Sequence, residues 1–168
     1  MTDKIAGFLS GSSPEALTVL LAAMPVSELR GAIPWATFVL NMNWSEALAW
    51  SLFGNIIPVP LILVLMNPAQ NYLRKVPLFN RFFDWLFART RRKGRLIEQY
   101  QAVGLALFVA VPLPVTGAWT GSIAAFLFGI RFVPAFIAIC FGVVMAGTIV
   151  TLACQGFISF WDISQKFN

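Results

Sequence analysis

Glu28 and Arg30 are two charges inside a largely apolar stretch from Leu17 to Leu40, and Pro25, Gly31 and Pro34 interrupt the same stretch. A charge in a lipid-bound segment costs several kcal/mol unless it is paired or hydrated. Proline and glycine there free backbone groups that lipid cannot satisfy. Both costs fall if the segment is a broken helix lining a cavity within protein, as in transporter sites. A desolvated carboxylate such as Glu28 can take up a proton or hold a cation, whereas an arginine keeps its charge and can clamp an anion. Residues two apart do not face each other on a regular helix, but on an unwound tip they can. An ion pair that only locks the tip Pro25–Pro34, with Ser27 beside it, is the structural alternative.

A second cluster lies at Val111–Ser122. Pro112, Pro114 and Gly117 break the chain there, and Thr116, Thr120, Ser122 and the Trp119 indole supply uncharged polar groups. A half-helix starting near Gly117 would turn its positive end inward, which favours an anionic group. Small-residue packing is the plain reading of Gly117 and Gly121. Asn55 sits in the middle of an apolar run beside Pro58 and Pro60, and an asparagine in lipid needs a partner. That partner is a hairpin tip or a substrate.

Catalytic chemistry finds no support. The chain has no histidine, and its hydroxyls have no nearby base of the kind a nucleophile needs. Cys140 and Cys154 would stand roughly 21 Å apart on one helix, too far to bond. The expectation is a protein that is not an enzyme, with no cofactor and no metal site.

The elements that must position these residues are read from composition. The chain has 168 residues, 58% hydrophobic and 11% charged, against about 25% charged in a soluble domain. An all-α integral membrane protein of one domain is expected. Residues 47–66 and 132–152 carry no charge and are long enough to span. Residues 15–41 and 102–130 are also long, but each is broken into flanks of about ten residues, or half a bilayer. Each therefore reads as a re-entrant helical hairpin.

Eight of the twelve basic residues fall in the connector 67–100: Arg74, Lys75, Arg81, Arg89, Arg91, Arg92, Lys93 and Arg95. That places the connector in the cytoplasm. Within it, 78–89 reads as an amphipathic interfacial helix, with the basic run over anionic lipid rather than nucleic acid. Phe157, Phe160, Trp161 and Phe167 suggest a second interfacial anchor in 153–168.

The halves 15–66 and 102–152 look alike. Pro112 follows Pro25 by 87 positions, Gly117 follows Gly31 by 86, and Gly142 follows Gly54 by 88. A hairpin makes no net crossing, so the two spans run in opposite directions and the repeat is inverted. Both termini then lie outside. Substrate would bind between the two hairpin tips. The small size makes a homodimer plausible, with Gly142, Gly147 and Gly156 as contact positions.

The runs Ser27–Pro34, Gly54-Asn55 with Pro58-Val59-Pro60, and Pro112–Gly121 resemble the bacterial and archaeal family of putative small multidrug export proteins, over almost the whole chain. That family is distantly similar to the DedA and SNARE-associated Golgi protein group, which has two facing re-entrant hairpins and is implicated in moving lipids such as polyprenyl phosphates. The resemblance implies a small transporter of the cell inner membrane. Its substrates would be small amphipathic compounds, with proton coupling through Glu28, or anionic lipid carriers held by Arg30. A scaffold or assembly factor that transports nothing is the alternative of another class.

Overall fold

The computed structural model describes residues 12–73, 94–113 and 116–166, with side chains at 12–66, 100–113 and 116–157. Every regular element among them is a helix. The expected amphipathic helix 78–89, the basic residues from Arg74 to Lys93, Pro114 and Phe167 lie outside the described residues, as do the side chains of Arg95, Phe160 and Trp161.

Helix α1 is Pro14–Ala23. Ser13 caps it by accepting from the Ala16 N–H at 3.3 Å, and Pro14 fills its first position, where no intrahelical donor is needed. The helix stops because Met24 precedes Pro25 and is forced extended (φ −73°, ψ 139°).

A tight turn over Met24–Ser27 leads into α2, Glu28–Phe38. The Glu28 N–H bonds the Met24 carbonyl at 3.0 Å, and the Gly31 N–H bonds the Ser27 carbonyl at 2.9 Å. The break is therefore shorter than the Pro25–Pro34 expected. Gly31 and Pro34 lie inside α2, not in the break. Pro34 removes only one donor, the one that would meet the Arg30 carbonyl, and the helix runs through it. Asn41 ends the α2 exit in the left-handed region at φ 53°, a conformation asparagine tolerates.

Helices α3 (Trp44–Ile56) and α4 (Pro58–Leu73) are separated only by a turn residue, Ile57. The helical run is interrupted at Ile57, beside the prolines where a kink is expected. Together they hold the apolar stretch Trp44–Met66. Helix α5 is Gly94–Ala110 and α6 is Ala118–Leu127, so the second break includes Pro112 and Gly117 as expected. Helix α7, Phe132–Lys166, carries a second apolar stretch, Phe132–Phe157, and continues well past residue 152. Both stretches are long and apolar enough to cross a bilayer. Less than half of each is buried, 39% and 44%, whereas a core helix of a soluble protein would be mostly covered. Leu61, Val64, Leu65, Val133, Ile137 and Phe141 are exposed along them.

The chain divides into two compact units, residues 1–55 with 146–168, and residues 56–145. In the first, α1 packs on α2. Gly54 of α3 meets α1 so closely that a Cβ would lie 2.4 Å from the Val19 carbonyl oxygen and 2.9 Å from the Ala22 Cβ. In the second unit, α6 packs on α4 and α5. There Gly142 of α7 meets α5, and a Cβ would lie 2.6 Å from the Ala106 carbonyl oxygen and 2.7 Å from the Val109 Cβ. Gly142 follows Gly54 by 88 positions, and Ala106 and Val109 follow Val19 and Ala22 by 87. The same helix-to-glycine contact occurs once in each unit.

These contacts correct one expectation. Gly142 packs inside its own unit. Gly147 does too, since its Cβ would lie 2.9 Å from Leu48 and 3.0 Å from Leu52. Neither glycine is spare surface for a dimer contact, while Gly156 meets nothing within 4 Å.

Candidate functional site

In the first unit the turn between α1 and α2 positions Ser27, Glu28 and Arg30 together. Ser27 donates its hydroxyl to the Leu21 carbonyl, which ties the turn to the last part of α1. Glu28 is the first residue of α2 and is 7% exposed. A carboxylate there gains from the unpaired N–H groups of the helix start and from the positive end of its dipole. Its backbone is left-handed at φ 46°. For a residue with a Cβ this costs on the order of 1–3 kcal/mol and persists only where the surroundings impose it. The Glu28 carboxylate attracts the Arg30 guanidinium electrostatically. Two charges of opposite sign thus share the first turn of a helix whose other buried residues, Leu29, Ala32, Ile33 and Ala36, are apolar.

Asn55 stands in the same unit, at the end of α3. It is fully buried, and among the described residues neither Oδ1 nor Nδ2 has a hydrogen-bond partner. Within its own unit, and among the described residues, it makes no bond to the hairpin tip. One turn earlier, Ser51 is also fully buried, and its Oγ is also without a partner among the described residues. Residue type alone does not single out Ser51. Its one signal is the spacing of four from Asn55, which puts both on one helix face.

In the second unit, Thr116 lies in the break before α6. Its hydroxyl donates to the Val111 carbonyl at 2.6 Å, with the Leu113 carbonyl at 2.9 Å, and accepts from the Leu113 N–H at 3.2 Å. The group expected to meet substrate is engaged in holding its own turn. Thr120 donates to the Gly117 carbonyl at 3.4 Å, and Ser122, fully buried, donates to the Ala118 carbonyl at 2.7 Å. Trp119 is half-buried on the first turn of α6. Gly117, buried, has an extended backbone (φ 165°). Thr116→Val keeps the shape and removes these bonds. It is expected to lower stability by about 0.5–1.5 kcal/mol, read as a drop in the melting midpoint of the detergent-purified protein.

A family model described as putative small multi-drug export protein matches residues 28–149. No curated protein and no solved structure matches the chain. The matched region begins at Glu28 itself and takes in Arg30, Ser51, Asn55 and the whole second break.

Proposed function

The chain belongs to the family of putative small multi-drug export proteins, and from that premise we propose that it exports small amphipathic cations across the cell inner membrane in exchange for protons carried by Glu28. The observation that carries this reading is the Glu28 carboxylate, buried at the start of α2 in a strained backbone within an apolar helix pair. A group of this kind can alternate between a proton and a cation, because burial raises the cost of leaving it charged and alone. Arg30 sets the balance: its charge holds the carboxylate when no cation is bound.

The reading includes two re-entrant hairpins. Helices α1 and α2 have 10 and 11 residues, or roughly 15–17 Å each, half of the ~30 Å apolar layer. It also includes an inverted repeat. The order of two short helices followed by a long apolar segment occurs twice, and the glycine contacts at Gly54 and Gly142 recur at matching offsets. The connector 67–100 faces the cytoplasm by its basic residues.

The test uses proteoliposomes with an imposed pH gradient and a fluorescent lipophilic cation. Wild type and Arg30→Ala are expected to move the dye and to release protons when it is added. Glu28→Gln is expected to do neither. Dye movement that is equal in all three would remove the carboxylate from the mechanism.

A further inference from the structure

We propose that Ser51, Asn55 and the Gly54 carbonyl at the end of α3 bind a sodium ion. The inference goes beyond the export reading, and its ligands stand in the first unit.

The starting point is how buried hydroxyls behave elsewhere in this protein. Thr18 donates to the Pro14 carbonyl at 2.8 Å, Ser122 to Ala118 at 2.7 Å, and Thr151 to Gly147 at 2.8 Å. Each satisfies itself on its own helix, four residues back. Ser51 is just as buried and forgoes that bond, although the Ala47 carbonyl stands at the same spacing. Asn55, one turn on, leaves both amide atoms unpaired. A buried polar group without a partner costs about 1–3 kcal/mol. Three such atoms on adjacent turns of one face, at zero exposure, mark a place built for something polar.

Packing does not explain them. By the offset of 88 that relates Gly54 to Gly142, Ser51 and Asn55 correspond to Ile139 and Val143. Those two are fully buried in the second unit and are apolar. The equivalent site is thus filled there without polar atoms.

The chemistry of the set selects the ligand. Pro58 has no N–H, so the Gly54 carbonyl cannot receive the helical bond from residue 58. With Ser51 Oγ and Asn55 Oδ1 it makes three oxygens. All are neutral. A divalent cation draws carboxylates, whereas a neutral set of few oxygens suits a small monovalent ion. A water carried on the ion accepts from Asn55 Nδ2, so that all three orphan atoms are satisfied.

The experiment is thermal unfolding of the full-length protein in detergent, followed by tryptophan fluorescence, with NaCl titrated against choline chloride at constant ionic strength. Sodium at tenfold above its half-saturating concentration should raise the midpoint by about 4 °C for a protein of this size. Ser51→Ala should move the half-saturating concentration up about tenfold, the effect of losing one good ligand contact. Asn55→Val, the residue type the second unit uses, should raise the midpoint in choline and abolish the response to sodium. A wild type with equal midpoints in sodium and choline overturns the proposal. So does a sodium response that survives unchanged in both variants. Neither result touches the export reading, which is tested by dye movement.

Discussion

Gly54→Val is expected to destabilise the first unit by about 3 kcal/mol or more, enough to keep much of the protein from folding. A Cβ at position 54 would lie 2.4 Å from the Val19 carbonyl oxygen and 2.8 Å from the Val19 Cα. These are backbone atoms of α1, so no side-chain rotation relieves the clash. The whole helix must move, and α1 is tied to α2 through the Ser27 bond to Leu21 and through their packing. Overfilling a packed core by a methylene already costs about 1–3 kcal/mol, and valine adds three carbons. Gly104 is the control. It lies on α5 with nothing within 4 Å of its would-be Cβ, so Gly104→Ala should gain up to about 1 kcal/mol from helix propensity. Melting midpoints of the two variants should move in opposite directions. Equal shifts would mean that α1 and α3 do not approach as described.

Glu28 is expected to separate stability from transport. Glu28→Gln keeps the size and the position at the start of α2 but removes the charge. A charge-assisted contact is worth about 1.5–3 kcal/mol, so the affinity for a cationic substrate should fall roughly ten- to hundredfold, and proton exchange should stop. Glu28→Gly tests the backbone. Glycine adopts φ 46° without a steric cost, so the change should recover on the order of 1 kcal/mol of stability. It should nevertheless abolish proton-coupled transport. A variant that is both more stable and inactive would identify the strain as serving the carboxylate's placement. A loss of stability in Glu28→Gly would instead make Glu28 a structural residue whose contacts outweigh its strained backbone.

The sequence made much of this architecture legible, and the reasons differ by element. The helix stop before Pro25 and the break at Pro112 and Gly117 follow from backbone chemistry that does not depend on context. Gly54 and Gly142 mark close helix contacts, because a Cβ at either position would meet backbone atoms of a neighbouring helix. Gly31 and Pro34 misled for the opposite reason. A helix tolerates one missing donor, and α2 is long enough to continue on either side. Gly142 and Gly147 showed that a close contact exists, but a glycine does not say which helix fills it. Asn55 could be read as polar and mid-span, yet its lack of a partner could not. Ser51 carried no mark, since most serines in apolar helices bond their own backbone and only the fold shows which one does not. The left-handed backbone of Glu28 is set by the turn geometry around it and has no signature in residue type.

The central claim is that the Glu28 turn sits at mid-depth in the bilayer, at the tip of a hairpin that enters and leaves by the same face. Val26 in that turn is 95% exposed, so a probe there disturbs little packing. With Cys140 and Cys154 replaced and a fluorophore attached at Val26→Cys, quenching by lipids that carry a nitroxide at different depths reads the position directly. The account predicts the strongest quenching from nitroxides near the acyl-chain ends. Strongest quenching from the headgroup nitroxide, with ready access to aqueous quenchers, would place the turn at the membrane surface and contradict it.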